Sequence, residues 1–98
     1  MEHQKPQRIE NKALVDKIRG ERCVCCGIRP AGGVDAHHVT TKGAGGGDTI
    51  NNLMPLCRIH HAAVHQYGYN KACKKYPGVQ RWLIQHERDD ILENIDED

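Results

Sequence analysis

Ninety-eight residues set the expectation of one small domain, residues 1–98, without room for a second core. No Phe, three Tyr and one Trp make a thin apolar supply beside seven His and five Cys, and a small domain with a thin core needs a staple. The net charge of +1 hides a basic body, +7 through Arg81, and an acidic end, −6 from Trp82 onward; no apolar run approaches the roughly 18 residues of a membrane span, and the first twelve residues, MEHQKPQRIENK, lack the apolar stretch of a secretory signal. A reducing, cytoplasmic setting is therefore expected, with the cysteines as thiols or metal ligands rather than disulfides, and no membrane partner. The basic body suits a polyanion, because each Lys or Arg that neutralises a phosphate releases counterions.

In chain order, 6–19 reads as an N-terminal helix, with Ile9, Ala13, Leu14 and Ile18 on one stripe and Gly20 at its end. Residues 23–33 are rich in turn formers, and Val34 to Thr40 is a short β-branched strand. Thr41 to Asp48 holds four glycines and forms a loop. Leu53 to Leu56 is a second strand, in which Pro55 is tolerable only at an edge. A helix begins near Cys57 or Arg58 and runs through His65, and a C-terminal helix covers 78–95, with Val79, Trp82, Leu83, Ile84, Ile91 and Ile95 as its apolar positions. Strands and helices in this order make the chain α+β.

The ligand spacing separates into two sets. Cys23-x-x-Cys26, followed by Gly27, and Cys57-x-x-His60 each place two side chains within reach of one tetrahedral ion, which gives four ligands for a closed structural zinc site. Cys25 lies between two of these ligands, and Cys73 matches no pair. The second set is His37 and His38, Asn52, and His61 with His65. His61 and His65 are four apart and share a helix face, whereas His60 points about 100 degrees away from His61. A few neutral imidazoles hold a metal with open positions, as a catalytic site requires. Neighbours in a regular strand face opposite ways, so His37 and His38 share a site only where the strand ends or twists. His3 and His86 are left without a role.

DAHHVT, the glycine loop, NNLMPLCRIHH and the trailing His65 resemble the motif of HNH endonucleases, the His-Me finger or ββα-metal family, in its small zinc-knuckle form found in phage and bacteria. The resemblance covers about Cys23 to His65. It implies a ββα-metal core with a zinc knuckle over 23–66, flanked by the two helices, in a bacterial or phage-infected cell. It implies His38 as the general base that activates water, and Asn52 as the side chain that ties down the loop and orients the base. His37, His61 and His65 are implied as ligands of a catalytic divalent ion (Mg²⁺, Mn²⁺, Ni²⁺ or Co²⁺). It implies DNA as the substrate, held mostly by its backbone, and Lys42 and Arg58 are candidate contacts. Lys71, Lys74 and Lys75, interleaved with Tyr67, Tyr69 and Tyr76, are a further basic cluster. The oligomeric state stays open, a homodimer included. The rival reading is a zinc-dependent nucleic-acid- or protein-binding module that keeps the fold without turnover.

Overall fold

A computed structural model describes residues 8–92 of the chain. Its first helix, α1, runs Lys12–Arg19 and so starts later than the periodicity suggests. Asn11 is its cap, the side-chain oxygen accepting from the Leu14 N–H. Arg8 to Glu10 lie instead beside the glycine loop, where the Asp48 N–H donates to the Ile9 carbonyl and the Asn11 N–H to the Asp48 carboxylate. Ile9, assigned above to the apolar stripe, is 60 % exposed as a result, and Ile18 is the buried residue of the helix. Pro6 lies outside the described residues. Gly20 ends the helix, and the Val34 N–H donates to the Arg19 carbonyl, which ties α1 to the strand that follows.

Two strands, β1 (Asp35–His38) and β2 (Leu53–Leu56), pair antiparallel with Asp35 opposite Leu56 and His38 opposite Leu53. Beyond the strand end the Val39 N–H donates to the Asn52 carbonyl. By alternation Ala36 and Pro55 then form a pair that exchanges no hydrogen bonds, so the missing proline N–H costs the ladder nothing. The Pro55 carbonyl accepts from the Val24 N–H, which docks the cysteine turn on β2.

Three helices complete the fold: α2 (Arg58–Tyr67), α3 (Tyr69–Lys75) and α4 (Pro77–Gln85). Gly68, at φ 80°, breaks α2 from α3. The short α3, which buries Ala72 and Cys73, is too polar to show an apolar period and was not anticipated. The expected helix over 78–95 stops at Gln85. Glu87 adopts φ 59°, and the Glu87 and Arg88 N–H groups donate back to the Ile84 and Leu83 carbonyls. This is the left-handed termination that glycine usually occupies. A 3₁₀ turn at Asp89–Ile91 follows, and Ile95 is outside the described residues. Glu87→Gly should therefore raise the unfolding free energy by about 0.5–1 kcal/mol, the left-handed strain relieved less the added unfolded-state entropy. A shift of the urea midpoint to lower concentration would refute it.

The described residues are thus a small α+β fold of four α-helices and one two-stranded antiparallel sheet. Val34, Val39, Met54, Leu56, Val64, Val79, Trp82 and Leu83 share one core with Cys23, Cys57 and Cys73. A Cβ at Gly78 would overlap the Val24 carbonyl, so only glycine lets α4 close on the cysteine turn. Trp82 is core, and His86 stacks on it at 4.0 Å while its Nδ1–H donates to the Trp82 carbonyl. No helix among the described residues is long and apolar enough to cross a membrane.

Candidate metal centres and the histidine cleft

Cys23 and Cys26 come from the turn before β1, and Cys57 and His60 from the start of α2. The turn is closed by bonds from the Gly27 N–H to the Cys23 carbonyl and from the Cys23 N–H to the Ile28 carbonyl, with Gly27 at φ 76°. The four ligand atoms lie within 4.8 Å of one another. Cys57 Sγ is 3.2 Å and Cys23 Sγ 3.8 Å from His60 Nδ1, and Cys26 Sγ is 4.0 Å from Cys57 Sγ. Edges of a tetrahedron with Zn–S bonds near 2.3 Å and Zn–N bonds near 2.0 Å are about 3.5–3.8 Å, so this set can hold a metal such as zinc. Burial alone would raise the Cys23 thiol, but backbone N–H groups of Cys57, Cys26 and Cys25 outweigh it and lower the pKa, which favours the thiolate a metal needs. Cys25 stays outside the set. Burial, and then the thiolates of Cys23, Cys26 and Cys57, push it up to about 12. Cys73 is buried in the core and is not one of the four ligands.

His37, His61 and His65 form a second group, their ligand atoms also within 4.8 Å. Ring centroids are 4.9 Å apart for His37–His61, 5.2 Å for His37–His65 and 4.9 Å for His61–His65. Neighbouring groups fix which nitrogens are free. Tyr69 Oη donates its one proton to the Val39 carbonyl at 3.2 Å, so at 2.6 Å it accepts from His37 Nε2–H and leaves His37 Nδ1 as a lone pair. Asp35 Oδ2, 2.9 Å from His61 Nδ1, accepts the proton there and leaves Nε2. Burial, followed by the charges of His61, His65 and His38, drives His37 down to about 3 and keeps it neutral.

That value carries a stability prediction. The folded pKa of His37 lies below the unfolded value of about 6.5, so the unfolded chain binds more protons as pH falls below that value. Stability is lost in that direction. Between pH 6.5 and 5.5 the wild type should lose about 1 kcal/mol more than His37→Gln, read as the difference in denaturant midpoints. Parallel pH curves for the two proteins would contradict it.

β1 ends at His38, and this allows its two histidines to meet. His37 is buried under α2 and α3, yet it lines, with His38, His61, His65 and Lys42, a cavity of about 180 Å³. A larger adjoining cleft of about 540 Å³ is lined by His38, His61, Asp35 and Asp48, with Arg19, Lys42 and Arg58 supplying positive charge. Lys42 sits in a 3₁₀ turn, Lys42–Ala44. Arg58 is 84 % exposed and 3.8 Å from Asp35, an ion pair worth little by itself.

Asn52, 4 % exposed, is bonded at every position it has. Its Oδ1 accepts from the Thr40 N–H and from Arg88, and its Nδ2 donates to the Thr40 and Gly47 carbonyls. A Cβ at Gly46 would overlap the Thr40 carbonyl and crowd Asn52 Nδ2 at 2.9 Å, so the loop glycine serves this closure. Arg88 also donates to Thr40 Oγ1 at 2.8 Å and to the Asn51 carbonyl.

The model of the family described as "Protein of unknown function (DUF968)" matches residues 1–93. The chain belongs to this family. No curated protein and no solved structure matches the chain.

Four residues of this DUF968 chain that shape the site are not singled out by the sequence, Asp35, Asp48, Arg8 and Arg88, and Tyr69, placed above in the Lys/Tyr cluster, bonds His37 instead. Asp35 was within reach, since it precedes His37 by two residues on a strand and so shares its face. Arg88, a lone base among acids, was an anomaly that invited a question. Tyr69, Asp48 and Arg8 reach the site through tertiary contacts that no local spacing reports. The Lys71, Lys74 and Lys75 cluster lies on or beside α3, and Lys75 sits over the Tyr67 ring at 5.2 Å.

Proposed function

We propose that this chain is a metal-dependent DNA endonuclease of the HNH, or His-Me finger, type, with β1, the glycine loop, β2 and α2 as its ββα-metal unit. The observation that carries the reading is the convergence of three neutral-capable imidazoles, His37, His61 and His65, on the same cavity as His38. A Cys₃His set stands separately as a structural zinc site. Two donor sets of such different kind suit two different tasks.

His37 Nδ1, His61 Nε2 and a nitrogen of His65 would hold a divalent ion (Mg²⁺, Mn²⁺, Ni²⁺ or Co²⁺). When bound, that ion supplies charge stabilisation to a phosphodiester and its leaving 3′-oxygen. The chain's own residues supply the rest. His38 takes a proton from the attacking water through the nitrogen not engaged by Asp48. Asn52 holds the loop from Thr40 to Gly47 closed behind His38, and Arg88 braces Asn52. Lys42 and Arg58, on the rim of the cleft, meet the DNA backbone, which makes weak sequence preference the expectation. The acidic end from Trp82 onward contributes no phosphate contact in this scheme.

Plasmid nicking tests the reading. The wild type with Mg²⁺ or Mn²⁺ should convert supercoiled DNA to nicked or linear forms, and His38→Ala should be slower by about 10²–10⁴-fold, the range of general-base catalysis. Equal cleavage by both proteins removes His38 from the mechanism. No cleavage by the wild type with any of the four ions leaves a zinc-stapled binding module.

A further inference from the structure

His38 has a partner that no motif spacing identifies. Asp48 Oδ1 lies 2.8 Å from His38 Nε2, with the Asp48 side chain 8 % and the His38 side chain 14 % exposed. A carboxylate accepts only, so the ring proton sits on Nε2 and the free lone pair is on Nδ1. Asp48 is itself held on both oxygens. Arg8 Nη1 donates to Oδ1 at 3.0 Å and the Asn11 N–H to Oδ2 at 2.9 Å. Arg8 is fixed in turn by the Gly46 carbonyl at 3.3 Å and by Glu10 at 3.4 Å. The segment before α1 therefore reaches across the glycine loop and fastens the carboxylate that faces the histidine.

The geometry points to Asp48 as a positioning residue: it fixes the ring orientation and the Nε2–H tautomer of His38, and the Arg8–Asn11 segment holds Asp48 in place to do so. This rests on the nuclease reading of His38. The arrangement orders a reactive imidazole as a buried carboxylate does in hydrolases that use a histidine base, where loss of the correct tautomer costs more than loss of packing. What separates this role from that of a plain loop anchor is access: His38 and Asp48 line the cleft, whereas Arg8 is not among its lining residues.

The test compares the wild type, Asp48→Ala, Asp48→Asn, Arg8→Ala and His38→Ala in steady-state DNA nicking, together with the ¹⁵N spectrum of the His38 ring. The carboxylate-free variants should lose at least about 10²-fold in kcat with KM changed less than about 3-fold, because the base and not the DNA contact is disturbed. Arg8→Ala, which leaves the carboxylate opposite His38, should lose less than about 10-fold. The ring should show the Nε2–H tautomer in the wild type and in Arg8→Ala, and a mixture in Asp48→Ala. Asp48→Asn keeps the side-chain shape and supplies the kinetic comparison if Asp48→Ala unfolds. Its amide must turn its NH₂ toward either Asn11 or the Arg8–His38 pair, where a donor already points.

Wild-type cleavage matched by Asp48→Asn, or an Nδ1–H tautomer in the wild type, overturns the role of Asp48 alone. Equal losses in Arg8→Ala and Asp48→Asn do the same, since they make Asp48 an anchor for the segment before α1. Absence of wild-type cleavage with every ion overturns the nuclease reading and this assignment with it.

Discussion

Cys23→Ser is expected to leave the chain largely unfolded, with zinc content falling from one tightly held ion per chain to none that survives mild chelation. Structural zinc in small domains contributes about 10–16 kcal/mol of apparent binding free energy at neutral pH, as much as the whole stability of an ordinary domain. Nothing else here could replace that contribution. The core contains no Phe, and its residues come from both sides of the metal set: Val34 from just before β1, Leu56 from β2, Val64 from α2, and Val79, Trp82 and Leu83 from α4. The Cys23–Cys26 turn docks on β2 through Val24 and against α4 at Gly78, so losing the ion releases both contacts together. Far-UV circular dichroism and a thermal melt read the result. Cys73→Ser, which buries a hydroxyl at a position that is not one of the four ligands, should cost only a few kcal/mol and keep the zinc. A cooperative, near-wild-type melt of Cys23→Ser would show that the Cys₃His set does not staple the fold.

The parts of this molecule that could be read from the sequence are those governed by short spacing. C-x-x-C and C-x-x-H place their side chains within one turn or knuckle whatever the rest of the chain does, and His61 and His65 share a helix face by period alone. Leu53–Leu56 was legible because a short apolar run bounded by turn formers has few alternatives. Helix ends were less legible, and each for a local reason. α1 starts at Lys12, capped by Asn11, because Arg8 to Asn11 have better partners in Asp48 than another turn of helix would give them. α4 ends at Gln85 because the Arg88 side chain turns back to Thr40, Asn51 and Asn52, three bonds that a continuing helix would carry away. Both overrides are tertiary, and neither leaves a period in the sequence. They also have a shared consequence. The two arginines brace opposite ends of one loop, Arg8 at Gly46 and Asp48, Arg88 at Thr40 and Asn52, so segments far apart in the chain hold the surroundings of His38.

The second large effect concerns the three-histidine centre. His61→Ala should abolish divalent-ion-dependent nicking, by about 10³-fold or more if the ion supplies the several kcal/mol of charge stabilisation expected of it. Asp35→Asn should retain the ligands but weaken ion affinity about 10–100-fold, the usual cost of losing the carboxylate behind a ligating imidazole. The order follows from the bonds. His61 offers Nε2 to the centre only because Asp35 Oδ2 takes the Nδ1 proton at 2.9 Å. An amide there can present oxygen or nitrogen, so the ring is no longer held in one tautomer. High Mn²⁺ should therefore restore much of the Asp35→Asn activity and none of that of His61→Ala. Both variants should keep the zinc and melt close to the wild type, because His61 is only half-buried and neither His61 nor Asp35 belongs to the Cys₃His set. Isothermal titration with Mn²⁺, run beside zinc analysis and nicking, separates the two centres. If His61→Ala binds the ion as tightly as the wild type does, or if it cleaves at the same rate, the three histidines are not the catalytic metal site.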